Sequence, residues 1–150
     1  MPAPDTIAAR VSAARAGTHP QLVGRLLSGW LFLGDVQPLR GYCVLVADPI
    51  VPGLEALPEA DRARYLLDTV RVGDALRAAF GAHRINYETW CNLDPSLHTH
   101  ITPRYADEPD ALRVLPPRQA YDWSARLFDP ARDVPTIAIL RAALDLTSSP

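Results

Sequence analysis

Apolar residues recur along this chain with two different periods, and the switches between them mark its elements. Residues 5–16 place Ile7, Val11 and Ala14 on one helical face behind Asp5, a residue suited to cap them. Gly17-Thr18-His19-Pro20 breaks that pattern. From Leu26 to Asp48 the pattern becomes that of paired strands, with the apolar runs Trp30-Leu31-Phe32-Leu33 and Tyr42-Cys43-Val44-Leu45-Val46. Gly34 to Gly41, which contains Asp35 and Pro38, connects them, and Asp48-Pro49 and Pro52-Gly53 end the second. A long helix is predicted from Pro58 to Phe80: Pro58 suits its first turn, Glu59 and Asp61 favour the positive end of its dipole, and Gly81 stops it. Its apolar stripe reads Leu66, Leu67, Val70, Gly73, Leu76 and Phe80.

A third strand, Arg84 to Trp90, is followed by the turn Cys91-Asn92-Leu93-Asp94-Pro95 and a fourth strand, Ser96 to Thr102, closed by Pro103. Residues 106–135 are proline-rich and read as mostly irregular, with aromatic residues Tyr121 and Trp123, and a last helix is predicted from Pro135 to Leu146. Strand, strand, long helix, strand, strand is an α+β order with antiparallel neighbours. The chain reads as one domain over 1–150, with an N-terminal helix and linker to 28, a core at 29–105, and a tail with a C-terminal helix from 106.

Composition narrows the chemistry. The chain has 150 residues, enough to bury roughly 68–70% of its unfolded surface without staples. A net charge of -2 gives no broad basic footprint, so no nucleic-acid partner is expected. Cys43 and Cys91 form no CxxC pair, so a reducing compartment is expected. All 15 basic residues are arginine. The absence of lysine excludes a Walker-A loop, Schiff-base chemistry and a lysine-bound nucleotide. MPAPDTIAAR lacks the basic start and apolar run of a signal peptide, and no apolar run approaches the ~18 residues of a membrane span. A soluble, cytoplasmic protein is the expectation.

His98 and His100 carry the clearest candidate chemistry. Two residues apart on a strand, they point to one face, roughly 6.6–6.8 Å apart, with Ser96 in the same row. Such a row does not suit a sealed sheet face, because each imidazole needs a hydrogen-bonding partner. Three readings stay open on this motif alone: two solvent-facing histidines, a metal site lacking an evident third ligand, or a nucleophile. Imidazole with a reference pKa near 6.5 is largely unprotonated at neutral pH and can attack phosphorus, provided its other nitrogen is held by an acceptor such as a backbone carbonyl. Asp35 and Asn92 are likewise readable as ordinary turn residues.

The surroundings of the two histidines go further. Arg84-Ile85-Asn86-Tyr87-Glu88 followed by Cys91-Asn92-Leu93-Asp94-Pro95-Ser96-Leu97-His98-Thr99-His100-Ile101-Thr102-Pro103-Arg104-Tyr105 resembles the signature of the histidine triad superfamily. Trp30 to Asp35 and Gly41 to Val46 resemble that family's first hairpin, so the resemblance spans about residues 29–105. Counting back from Pro103-Arg104 makes His100 the third triad position and His98 the middle one. Ser96 then stands in place of the first histidine, as in a branch with the pattern SxHxH.

The resemblance implies a two-layer α+β domain, with an antiparallel sheet of about five strands and the long helix packed on it. It also implies a nucleotide hydrolase or transferase acting on a purine nucleotide joined by a phosphoramide, phosphoester or dinucleoside polyphosphate linkage. His98 would be the nucleophile, forming a nucleotidyl-histidine that water resolves, and His100 would donate to the phosphate. Asp35 would hold the ribose hydroxyls, and Asn92, Asn86 and Ser96 would face the phosphate or leaving group. No metal or other cofactor is required, although a divalent ion can accompany a polyphosphate, and a homodimer is implied. Ser96 cannot relay a proton as imidazole does. A nucleotide- or partner-binding module is therefore the first alternative, and a metal-dependent hydrolase using both histidines the second. Ile50 sits roughly where many members keep a further histidine.

Overall fold

The computed structural model describes residues 6–146. Its centre is a five-stranded sheet in the order β1-β2-β3-β5-β4, antiparallel throughout. The strands are β1 (Leu22–Arg25), β2 (Gly29–Leu33), β3 (Cys43–Ala47), β4 (Arg84–Glu88) and β5 (His98–Arg104). The helices are α1 (Ile7–Arg15), α2 (Glu59–Phe80), α3 (Asp110–Arg113), α4 (Pro117–Ala120) and α5 (Pro130–Ala143). The α+β expectation with a long helix on an antiparallel sheet is met.

Period-two alternation sends the strand residues to two different layers. Leu31, Leu33, Cys43, Leu45 and Ile101 join Tyr65, Val72 and Leu76 of α2 and Ile137 and Leu140 of α5 in the main core. On the opposite face Trp30, Phe32 and Val46 pack with Ile7, Val11 and Ala14 of α1. The register pairs Phe32 with Val44, Val44 with His100, and Val46 with His98, which puts both histidines on the α1 face. α1 covers the β1–β3 side of that face, and the segment after β5 closes over its β4–β5 side.

Several boundaries and faces differ from expectation. Asp5 lies outside the described residues, and the Thr6 hydroxyl accepts from Ala9 N–H to cap α1. β1 is an additional strand, on what reads as linker before residue 26. α2 ends as expected, with Gly81 left-handed at φ 70°. Its buried face is rotated, however: Leu66, Leu67 and Val70 are exposed, whereas Tyr65, Asp68 and Thr69 are buried. Each of these three buried polar residues of α2 has a partner. The Tyr65 hydroxyl bonds Leu45 O (3.1 Å) and Thr99 Oγ1 (2.8 Å), Thr69 Oγ1 donates to Tyr65 O (2.9 Å), and Asp68 accepts from both Ser28 N and Ser28 Oγ (2.9 and 2.7 Å). Satisfied polar groups can take core positions that apolar patterning assigns elsewhere.

β5 starts at His98, so Ser96 precedes the strand, and it runs through Pro103 instead of ending there. Pairing with β3 stops at Ile101, so Pro103 has only β4 beside it, where a residue without an N–H is tolerated. β4 stops at Glu88 instead of Trp90. The final helix begins five residues before Pro135, behind Asp129, whose side chain accepts from Ala131 N–H.

The segment after β5 is clasped by one buried ion pair. Arg104 and Glu108 are almost fully buried, joined by Arg104 Nε and Nη2 to Glu108 Oε1 at 3.1 and 3.0 Å. The guanidinium also donates to Asn86 Oδ1, Leu112 O and Leu115 O, and Tyr121 donates its hydroxyl to Glu108 Oε1 at 2.7 Å. Removing one partner of such a pair strands the other charge. Arg104→Met is expected to lower stability by about 3–5 kcal/mol, read as a fall in the urea midpoint; an unchanged midpoint would show that the clasp contributes nothing.

Candidate active site

His98 and His100 stand side by side on β5 with ring centroids 5.1 Å apart, nearly perpendicular. Each has its Nδ1 engaged. His98 Nδ1 is 2.6 Å from Ser96 O. A carbonyl only accepts, so Nδ1 carries the proton and the neutral ring presents an unprotonated Nε2. His100 Nδ1 is 2.6 Å from the Tyr42 hydroxyl, and the two rings lie almost parallel. Burial holds the Tyr42 phenol well above its usual pKa, so it stays protonated. Burial, with His98 and Arg118 adding to it, pushes His100 down to about 4, so its ring is neutral at pH 7.

The turn before β5 is tied into the rest of the site. The Asp94 carboxylate accepts from Ile7 N–H at 3.0 Å at the start of α1, and the polar groups of the nearby Ser96 favour its charged form. Burial raises the Asp94 pKa, but these donors outweigh it and hold the carboxyl below the usual range. Cys91 adopts a left-handed backbone, φ 54°, and its Sγ lies 3.7 Å from His98 O and 3.9 Å from His98 Nδ1. Asn92 is exposed on this turn.

Asp35 follows β2. Arg10 Nη2 donates to both its carboxylate oxygens, at 2.7 and 2.5 Å, and Gln21 Nε2 donates to Oδ1 at 2.8 Å. Burial raises this carboxyl, and the bonds from Arg10 and Gln21 outweigh it, so the group is held ionised. Its side chain nevertheless remains 60% exposed and able to accept further donors. His19, in the loop before β1, sets its ring edge-on to Phe32 with centroids 4.8 Å apart and acts electrostatically on Asp35. Asn86 stands apart from this group. It pairs with Thr102, gives its Oδ1 to Arg104, and lines a cleft of about 610 Å³ between β4 and residues 113–117 that neither triad histidine lines.

Four further residues, Arg10, Gln21, Tyr42 and Arg118, act on Asp35 or His100. Arg10 had a signal in the sequence, because it falls on the buried α1 stripe with Ile7, Val11 and Ala14, where a charge needs a partner. Gln21, Tyr42 and Arg118 had none, because their neighbours lie 14, 58 and 18 residues away in the chain. Ile50 lies in the loop after β3; Tyr42 is the residue that meets His100. No group of three His, Cys, Asp or Glu among the described residues is placed to hold a metal ion, and no described helix is long and apolar enough to cross a membrane.

No family model and no curated protein matches the chain. Solved structures do. A histidine triad protein from Bradyrhizobium japonicum is 21% identical, with a TM-score of 0.68 over 83% of this chain and 91% of its own. A Hit-like protein involved in cell-cycle regulation from Bartonella henselae is 15% identical, with a TM-score of 0.69 over 93% and 96%. A hypothetical histidine triad nucleotide-binding protein from Sulfolobus tokodaii gives 15% and 0.69 over 90% of each chain. The chain therefore has the histidine triad fold, and the resemblance read from its motifs holds at that level.

The lowered His100 pKa has a thermodynamic consequence. The unfolded chain binds a proton at this ring near pH 6.5, whereas the folded protein resists until about pH 4. Between those values the unfolded state holds more protons, so stability falls as pH is lowered across this window and levels off below it. Urea midpoints measured from pH 7 to pH 4 should show a loss of at most about 3 kcal/mol attributable to His100. His100→Gln should flatten that limb, and an equal slope in both proteins would refute the assignment.

Proposed function

We propose that this protein is a nucleotide hydrolase or transferase working through a nucleotidyl-histidine. The observation that carries the reading is the bond from His98 Nδ1 to Ser96 O, which leaves Nε2 as the nucleophilic nitrogen. In the first step the Nε2 lone pair forms an N–P bond to the α-phosphorus, and the bond from phosphorus to the leaving oxygen or nitrogen breaks as that atom takes a proton. In the second, water adds to phosphorus, the N–P bond breaks, and the imidazole is regenerated.

His100 donates from Nε2–H to a non-bridging phosphate oxygen, with its Nδ1 accepting from the Tyr42 hydroxyl. Positioned donors of this kind stabilise the charge that develops on the phosphoryl group. Tyr42 is thus a positioning residue. Asp35, ionised and partly open, accepts from the ribose diol of a purine nucleotide, and Arg10 and Gln21 hold its carboxylate still. Asn92 on the turn meets the phosphate or leaving group. Ser96 contributes through its carbonyl, which accepts from His98 Nδ1–H. The reaction needs no resident cofactor, and a divalent ion enters only with a polyphosphate substrate. The protein acts in the cytoplasm as a homodimer.

One observation favours a second reading, a nucleotide-binding module with little turnover: a serine, which cannot relay a proton as imidazole does, stands where the resemblance places the first histidine. Intact-mass spectrometry after mixing with an adenosine phosphoramidate and quenching separates the two. Wild type and His100→Ala are expected to show an adduct of AMP mass, and His98→Ala none. Adduct retained by His98→Ala and lost by His100→Ala would move the nucleophile to the other ring; AMP binding with no adduct in any variant would favour the module.

Tyr42→Phe tests the positioning role separately. It should lower kcat roughly tenfold with KM little changed, and raise the His100 pKa seen by NMR titration, because the donor that favours the neutral ring is lost. Unchanged kcat and titration would assign Tyr42 to packing alone.

A further inference from the structure

The triad-side donors described so far bring little positive charge to an anionic substrate. His100 is neutral at pH 7, and Arg10 is engaged with Asp35. The carboxylates acting electrostatically on Tyr42 are Asp35 and Glu88, and Glu88 pairs with His100 across β4 and β5. A substrate with several phosphates would meet a site short of cations, unless one is supplied from outside the sheet.

Arg118 is that cation. It is exposed on α4, and it makes no salt bridge among the described residues. Its guanidinium lies 4.5 Å over the Trp123 ring. Trp123 is itself fixed: its Nε1 donates to Pro117 O at 3.1 Å, and its ring meets Tyr42 edge-on at 4.8 Å. Tyr42 bonds His100, whose ring neighbours His98. A continuous series of ring contacts therefore runs from the proposed nucleophile to a charged arginine, and Arg118 is close enough to act electrostatically on both His100 and Tyr42. An arginine stacked on an aromatic ring keeps its donor edge available for phosphate oxygens.

We infer that Arg118, held over the Trp123 ring, receives the phosphates beyond the α-phosphate, so that the site prefers nucleoside and dinucleoside polyphosphates to nucleotides joined to an uncharged leaving group. The inference rests on the proposed nucleotide reading and adds the substrate class to it. Trp123 acts as a platform, and Arg118 makes the contact.

The test is calorimetric binding of AMP and of α,β-methylene-ADP, which cannot be cleaved between its phosphates, to the full chain and to Arg118→Gln. Wild type should bind the diphosphate about tenfold more tightly than AMP, as one charge-assisted contact allows. Arg118→Gln should bring the two within about twofold of each other by weakening the diphosphate alone, and Trp123→Leu should reduce the preference in the same direction. An equal preference in wild type and Arg118→Gln would overturn this inference and leave the nucleotide reading intact. Failure of wild type to bind AMP or the diphosphate would overturn both.

Discussion

Everything at this site depends on one constraint: two imidazoles share a strand face, and each is allowed only one orientation. A histidine free to rotate presents either nitrogen to a substrate, and attack on phosphorus needs one nitrogen, unprotonated, aimed outward. β5 meets the first part of that need by pleating, because residues two apart must project to the same side. Hydrogen bonds at the back of each ring meet the second, from His98 Nδ1–H to the Ser96 carbonyl and from the Tyr42 hydroxyl to His100 Nδ1. Ser96 makes its bond to His98 through the backbone, so that bond does not depend on the serine side chain.

The rest of the architecture keeps that face partly open. α2 and α5 cover the opposite face with a dry core, and α1 covers only the β1–β3 side of the histidine face. The segment after β5 closes the other side, held by Arg104 and Glu108 and by pairing of Val36 with Leu127. Between these two covers His98 and His100 are only part-buried. The same covering segment carries Trp123 and Arg118, so the clasp that stabilises the tail also delivers the aromatic and charged groups beside His100.

Electrostatics divides the site. At the Asp35 end, Arg10 and Gln21 supply donors that hold a carboxylate ionised in spite of its burial. At the His100 end, burial favours the uncharged ring. In the proposed reaction the accepting carboxylate would meet the diol and the donating neutral imidazole the phosphoryl group.

Local pattern settled much of this molecule. Pro58 and Gly81 bracket α2 because proline's fixed φ suits a helix start and only glycine enters the left-handed region freely. The alternation in β2, β3 and β5 determined which residues share a face, and so the pairing of His98 with His100. The sequence could not tell which face of α2 is buried, because Tyr65, Asp68 and Thr69 go inward only where Leu45, Thr99 and Ser28 wait for them. Nor could it show that Pro103 continues a strand paired on one side, or that Tyr42 reaches His100 and Trp123 reaches Tyr42. Those outcomes belong to the tertiary structure, since a hydrogen bond between residues 58 positions apart leaves no periodic trace in the chain.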